Sequence, residues 1–498
     1  MEEKHIIHGP EPYTLLEGDT LGEVFYNALK KHCYLPEAMV QAETKRKISY
    51  KDLLAHTCHL AQSIKEWGIT PKDVIAVCSE NSIEFCMVVI ASFYLGVPCA
   101  LINNNYTERE LSNIVELAEP SIVFCSAKAL SRIVNMKNKY RCINKIVVLS
   151  SNNVLTKDEC LKSFLQNSFN KNTFTPASFN SDERVALIMC SSGTTGLPKA
   201  VEITHTNFRI RLIHSQDPSL TAMYAKGSSV LQIMPMFHSL GLSMSLSHLL
   251  SGYRIIIKEQ FEPNLFLECI QNYKVVFTVV VPPLFLFLAN HPLVDEYDLS
   301  SLKHIGSGGA PLLNNLCAAV QNKIKGVTVI QGYGLTETTS AIILKEPGNT
   351  KLGTIGKVGS LITAKIIDID SGENLGPNKV GELCFKGPTV MKGYLKNQKA
   401  TDEAIDRNGW LHSGDIGYYD EDCDFYIVDR LKDLIKYKGF QVSPSELEYI
   451  LLEHPCIQDV GVFPLSDQAA GELPAACIVL QPGKTLTKEE VQDFVIGR

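Results

Sequence analysis

Between Met189 and Val201 the sequence reads MCSSGTTGLPKAV, an apolar run followed by small hydroxyl residues, glycines and a lysine. Such a stretch exposes backbone N–H groups, adds hydroxyl donors and ends in a positive charge, a combination that binds oxyanions. It reads as a loop closing over a polyphosphate. Lys199 follows a proline and precedes an alanine, so the Walker pattern is absent, as is the Rossmann glycine spacing. Three further stretches could complete the chemistry. In IQGYGLTETTSA, Ile330 to Ala341, Gly332 and Gly334 admit close backbone approach, Tyr333 offers a flat face to a base, and Thr336 and Thr338 offer hydroxyls. Glu337 is a hard oxygen ligand suited to magnesium on phosphates, or else a solvated residue of a threonine-rich turn. In GWLHSGDIGYYDED, Asp415 is expected in a turn ahead of a strand, where it either accepts ribose hydroxyls or is an ordinary turn aspartate. The segment VDRLKDLIKYKGFQVSPSELE packs Arg430, Lys432, Lys436 and Lys438 close together, as a solvated basic face or as charge to neutralise a reacting phosphate.

The elements that must position these residues follow from the pattern of the chain. With 498 residues it exceeds what one hydrophobic core serves, so two or three subdomains are expected. Strand-like runs such as DVIAVCSE, PSIVFCS and KVVFTVVVPP alternate with amphipathic stretches, which predicts largely parallel sheets covered by helices, in two similar α/β halves. After about residue 345, short strands and turn glycines predict a small antiparallel β unit. Ser443-Pro444-Ser445-Glu446 is a helix start, with Ser443 as N-cap and Pro444 at the first helical position. The uncharged run from Phe85 to Ile102 has the length of a membrane span, but Gly96-Val97-Pro98 divides it into a buried helix and a buried strand. A net charge of -7 offers no basic field for nucleic acid, and fifteen scattered cysteines without a C-x-x-C pair read as reduced thiols of a cytosolic protein. The acidic, proline-broken N-terminus is no signal peptide.

Together CSSGTTGLPK, SGGAPL, QGYGLTETTSA, GELCFKGP, GWLHSGDIGYYDED and VDRLKDLIKYKGFQVSPSELE resemble, in order and separation, the ATP-dependent acyl-adenylate-forming enzymes. The resemblance runs over the whole chain and is strongest to the insect luciferase and luciferase-like fatty acyl-CoA synthetase branch. It implies an α/β fold: a large domain, residues 1–429, of two α/β subdomains and a small β-barrel-like unit, then a small mobile α+β C-terminal lid from residue 430 to 498. It implies ATP and Mg2+ as cofactors, a small carboxylic acid as substrate, and CoA, or O2 in a luciferase, as the second reactant. By this resemblance Ser191, Ser192, Gly193, Thr194, Thr195, Gly196 and Lys199 hold the β- and γ-phosphates. Gly308, Gly309, Ala310 and Pro311, with Gln331, Gly332 and Tyr333, hold adenine. Thr336 touches the α-phosphate, Glu337 binds magnesium, and Asp415 and Arg430 hold ribose. His238 lies by the reacting carboxylate. Asp429, Arg430 and Lys432 form the hinge of the lid, and Lys436 serves the second half-reaction.

The resemblance also implies a further lysine, in a Gly-Lys motif past the last residue, Arg498, so slow adenylation by the 498-residue chain is expected. A nucleotide- or acyl-binding protein without turnover is then a further reading. A monomer in the cytoplasm is expected, or in the peroxisome were a targeting tripeptide to follow. For the acyl pocket the resemblance points to Arg211, His238, Ser239, Leu240, Gly241, Met244, Ser340 and Ala341. Arg211, Ser340 and Ala341 agree with beetle luciferases. Leu240 and Met244 replace an aromatic and a threonine there, which favours a flexible aliphatic acid over a planar one. The expectation is therefore a medium- or long-chain fatty acid passed to CoA, with luciferin adenylation, oxidation by O2 and light emission as the alternative.

Overall fold

The uncharged run resolves as its glycine foretells. In the computed structural model, Ile83–Leu95 is a helix buried along nearly its whole length, capped at its start by the Ser82 hydroxyl. Gly96 ends it in the left-handed conformation, φ 64°, and the strand Cys99–Ile102 follows, buried throughout. The structure describes residues 4–149, 160–165, 174–191, 198–310, 312–346, 348–437, 440–467 and 470–496. No helix among them is long and apolar enough to cross a membrane.

The chain divides into two compact units, one formed by His8–Ile362 with Lys386–Gly409, the other by Met1–Ile7, Thr363–Phe385 and Trp410–Arg498. The larger unit carries the two expected parallel sheets. In one, Cys99–Ile102, Ile75–Cys78, Ile122–Cys125 and Lys145–Val148 run parallel, Val185–Ser191 joins parallel to Cys99–Ile102, and Lys199–Thr204 pairs back on it antiparallel. In the other, Met39–Gln41, Arg254–Ile257, Ser229–Gln232, Val275–Val280, His304–Ser307 and Thr328–Leu335 are parallel, and Ser340–Leu344 folds back antiparallel on the last. Helices cover the faces, so these strands are apolar on both sides rather than alternating. Phe266, Phe285, Leu288 and Ile305 are wholly buried in the core of the second sheet.

The smaller unit holds the expected β segment, in which Gly381–Lys386, Leu411–Tyr419 and Phe425–Arg430 are antiparallel neighbours in a five-stranded sheet. A four-stranded sheet follows, with the helix Pro444–Leu452. That helix starts as read from the sequence. The Ser443 hydroxyl accepts from the Glu446 N–H at 3.1 Å, and Pro444 opens the first turn. The same hydroxyl donates to the Asp429 carboxylate, whose Oδ2 also accepts from the Ser445 N–H at 3.1 Å. Two acceptors thus serve one helix end. Ser443→Ala removes one of them and is expected to destabilise this helix by about 1 kcal/mol. Amide exchange faster in residues 444–452 than in the larger unit checks it.

Three buried histidines tie the larger unit to neutral pH. His205 Nδ1 accepts from the Leu21 N–H at 3.3 Å, so the ring must be unprotonated there. His214 Nε2 lies 2.7 Å from the Ser360 carbonyl, and His248 is buried, 7% exposed. Burial pushes their values down to about 3, about 4 and about 3 respectively. Below pH 6.5 the unfolded rings bind protons that the native rings refuse, so stability falls as pH drops from 6.5 towards 4, by about 1 kcal/mol per pH unit for each ring. Urea unfolding of the larger unit at pH 7, 6 and 5 is expected to show this slope. Equal stability at all three values would contradict it.

Candidate active site

The strand pair Val185–Ser191 and Lys199–Thr204 sets Ser191 directly opposite Lys199. Ser192, Gly193, Thr194, Thr195 and Gly196, the body of the expected phosphate loop, lie outside the described residues, as do Pro311 and Lys438. What the structure adds is the neighbour of Lys199. The strand Gly393–Tyr394 pairs antiparallel with Lys199–Thr204, Tyr394 opposite Val201. Lys199 stands two residues from Val201 and so is the diagonal neighbour of Tyr394 on the same face. Its Nζ sits 4.7 Å from the centre of the Tyr394 ring.

Tyr394 has a second task. Its hydroxyl donates to Glu337 Oε1 at 2.8 Å. Burial and the Glu337 carboxylate both push this phenol above its usual range, so it stays a donor. Glu337 is fixed from its backbone as well, because its carbonyl accepts from the Met391 N–H at 2.8 Å. The turn that presents it is strained. The strand Thr328–Leu335 leads into the short 3₁₀ segment Thr336–Thr338, and Thr339 and Ser340 then take φ of 66° and 136°. A β-branched residue in the left-handed region costs on the order of 1–3 kcal/mol and persists only where neighbours hold it. Here the Thr339 hydroxyl donates to the Thr389 carbonyl at 2.6 Å, and Ser340 Oγ lies 3.1 Å from Ser243 Oγ. Glu337 Oε1 is taken by Tyr394, and Oε2 is the oxygen that would meet a cation. A single carboxylate with phosphate oxygens is a common magnesium environment, so the residues fit that ion.

The nearby cleft encloses about 840 Å³, including the part open to solvent. Gly308, Gln331 and Gly332, expected at adenine, line it together with Arg211, Leu240, Met244 and Ala341, expected at the acyl group. The structure thus brings both sets to one cavity. His238 sits at the start of the helix Ser239–Ser251, and burial lowers its value, so it is neutral at pH 7. His238, Ser239, Gly241 and Ser340 are not among the residues lining the cleft. Gly241 is close-packed for another reason, since a Cβ there would fall 2.1 Å from the Pro235 carbonyl oxygen.

The floor of the cleft was not legible in the sequence. Tyr224 and Tyr253 line it from two connecting segments, His248 from the helix Ser239–Ser251 and Phe277 from the strand Val275–Val280. The His248 and Phe277 rings meet edge to face at 5.6 Å, and the Tyr224 hydroxyl lies 2.7 Å from His304 Nδ1. Rings are therefore present despite Leu240, which weakens the expectation that the pocket lacks flat surfaces. Arg211, 2% exposed, has Nε and Nη1 without a partner among the described residues. Burial pushes it down to about 10, so it remains charged at pH 7.

In the smaller unit, Asp415 lies within the strand Leu411–Tyr419 and not in a turn, which corrects the expectation. The strand continues because Asp415 is register partner to Arg430, whose Nε approaches Asp415 Oδ1 to 3.1 Å. The two expected ribose residues are thus paired with each other. Lys432 and Lys436 are in the same unit, Lys436 exposed on the strand Ile435–Tyr437, where its N–H donates to Glu472 Oε2 at 2.7 Å.

A carboxylate and a lysine that meet on one tyrosine, in the same unit as a cleft of about 840 Å³, are compatible with a nucleotide-dependent acid-activating enzyme. The chain belongs to the AMP-binding enzyme family, whose model matches residues 27–395, with the family's C-terminal domain matching residues 446–498. It is 44% identical to luciferin 4-monooxygenase of Photuris pensylvanica over 99% of this chain and 92% of that one. It is 37% identical to 4-coumarate–CoA ligase 2 of Nicotiana tabacum over 92% of this chain and 84% of that one. Among solved structures it resembles the natural red-emitting luciferase of Phrixothrix hirtus, with TM-score 0.80, 43% identity and coverage of 99% and 92% of the two chains. It also resembles the luciferase-like enzyme of the nonluminescent mealworm Zophobas morio, with TM-score 0.78, 27% identity and coverage of 86% and 100%. The chain is an acyl-adenylate-forming enzyme of this family, one that uses ATP and typically Mg2+.

Proposed function

We propose that the enzyme adenylates a medium- or long-chain carboxylic acid and passes the acyl group to CoA. The acid's oxygen attacks the α-phosphorus of ATP, the bond to pyrophosphate breaks, and the thiol sulfur of CoA then displaces AMP from the acyl carbon. The observation that carries this reading is the cleft of about 840 Å³, walled in part by Leu240 and Met244, whose lining residues Gly332 and Ala341 lie on the two strands that flank the turn bearing Glu337. Lys199 and the loop ahead of it hold the β- and γ-phosphates, and Thr336 meets the α-phosphate. Gly308, Gly309, Ala310, Gln331 and Tyr333 receive adenine. Magnesium, when bound, neutralises phosphate charge, and Glu337 holds it. His238, neutral at pH 7, borders the reacting carboxylate. Asp415 with Arg430 receives ribose, the segment of Asp429, Arg430 and Lys432 is the hinge between a large domain 1–429 and the lid from 430, and Lys436 belongs to the thioester step.

A second reading has its own support. The aromatic floor of Tyr224, Tyr253 and Phe277 suits a planar acid, and the luciferases above share 43–44% of residues with this chain. Pyrophosphate release with ATP and Mg2+ decides, with dodecanoic acid, luciferin or no acid, CoA in each, and light read from the same wells. Release and thioester with dodecanoic acid in the dark support the first reading. Light with luciferin supports the second. Silence with both acids would sink the two together.

A further inference from the structure

The geometry points to a further metal site in the smaller unit, a place for Zn2+ made by Glu382, Cys384 and His412. It is separate from the magnesium position proposed at Glu337, which belongs to the larger unit.

Two stretches singled out in the sequence, GELCFKGP and GWLHSGD, meet to form it. They supply the neighbouring antiparallel strands Gly381–Lys386 and Leu411–Tyr419. Cys384 and His412 are register partners, and Glu382 precedes Cys384 by two residues, so the three side chains share one face of the sheet. His412 Nδ1 lies 2.9 Å from Glu382 Oε2 and 3.7 Å from Cys384 Sγ. The three ligand atoms all fall within 4.8 Å of one another. A tetrahedral zinc, with bonds of about 2.0 Å to nitrogen and oxygen and about 2.3 Å to sulfur, sets N and O about 3.3 Å apart and N and S about 3.6 Å apart. Both spacings at His412 lie within about 0.4 Å of these values.

The backbone explains why the donors converge. Glu382 pairs with Ile416 but Cys384 with His412, so the strand Leu411–Tyr419 carries a bulge between them. Gly414, φ 69°, sits in that bulge, and its N–H donates to Glu382 Oε1 at 3.0 Å. Backbone thus fixes one carboxylate oxygen while the other meets His412. Such a bond orients a ligating carboxylate. Cys384 is wholly buried in an apolar cluster with Ile367 and Trp410. His412 forms the open side, its side chain 32% exposed, where an ion enters and a water completes four ligands.

The donor types select the ion. Mg2+ and Ca2+ take oxygen ligands, whereas a thiolate, an imidazole and a carboxylate together suit Zn2+. An ion pair of His412 with Glu382 alone would not call for a thiol at the same nitrogen. On binding, Cys384 releases its thiol proton to water and its sulfur donates a lone pair to the metal, with nothing oxidised or reduced.

The test uses the whole protein, reduced and stripped with chelator, then titrated with Co2+ as a spectroscopic stand-in and afterwards with Zn2+. The unaltered protein is expected to show a thiolate-to-cobalt charge-transfer band and the strong visible bands of a four-coordinate ion, both abolished by stoichiometric Zn2+. Cys384→Ser is expected to lose the charge-transfer band. Glu382→Gln, which keeps the bond from Gly414 and so guards against misfolding, is expected to weaken Co2+ more than about tenfold, the cost of losing even an outer partner of a metal. A large excess of Mg2+ is expected to leave the spectrum unchanged. Absence of the charge-transfer band in the unaltered protein would overturn the inference. So would a band of full strength in Cys384→Ser, which would put the cobalt on another cysteine, or displacement of cobalt by Mg2+.

Discussion

Replacing Glu337 by Gln is expected to lower pyrophosphate release about 100-fold or more. The change keeps size and hydrogen bonding but removes the negative charge that, in the proposed role of Glu337, meets the metal and the phosphates. Interactions of this kind, aimed at charge in the transition state, are worth about 10²–10³ in rate. Tyr394→Phe is the informative companion. It removes the hydroxyl that grips Glu337 Oε1 at 2.8 Å and leaves the ring beneath Lys199. A loss of about tenfold is expected, felt in kcat more than in KM, because the carboxylate is less well held while its charge persists. The two changes act through one hydrogen bond, so their combination should cost scarcely more than Glu337→Gln alone. Full additivity would show that Tyr394 acts independently of Glu337.

Gly334→Ala is expected to cost the larger unit about 3 kcal/mol and to abolish adenylation. A Cβ at Gly334 would stand 2.0 Å from the Ser340 carbonyl oxygen and 2.7 Å from the Ala341 Cα. The neighbouring strand is backbone, which has no rotamer with which to yield, and the register between Thr328–Leu335 and Ser340–Leu344 already shifts at this point. Displacing it moves the strained turn that carries Thr336 and Glu337. Gly332→Ala makes the control, because its nearest neighbours would lie at an ordinary 3.5 Å. Thermal unfolding of both variants separates the cases. Equal stability of the two would refute the steric account.

These glycines show what a sequence discloses. Both were legible as positions of close approach, yet at Gly334 the approaching atom is the adjacent strand. Local signals proved reliable where the physics is local: the Ser443 cap, the break at Gly96, the alternation that builds parallel sheets. Residue chemistry singled out Lys199 and Glu337, which the structure joins through Tyr394. Tyr394 was missed because it lies 57 residues from Glu337, and only pairing with Lys199–Thr204 brings it near. Asp415 was misplaced in a turn because its glycine-flanked setting reads as one, whereas its strand partner, Arg430, is remote in sequence. The aromatic floor of the cleft was invisible for the same reason. Tyr224, Tyr253 and Phe277 belong to different segments, and no spacing links them.

The Asp429 carboxylate, meanwhile, makes the proposed hinge something other than a free joint. Its oxygens hold the Ser443 hydroxyl, the Ser445 N–H at 3.1 Å and the Arg430 N–H at 2.7 Å. Any swivel of the backbone at residues 429–432 must therefore release a helix end some fifteen residues away, and the released N–H must find water. At about 1 kcal/mol this biases the resting position roughly fivefold without freezing it. With the hinge placed as proposed, the joint would behave as a detent, holding one setting by default and yielding once ligand binding supplies a comparable preference for another.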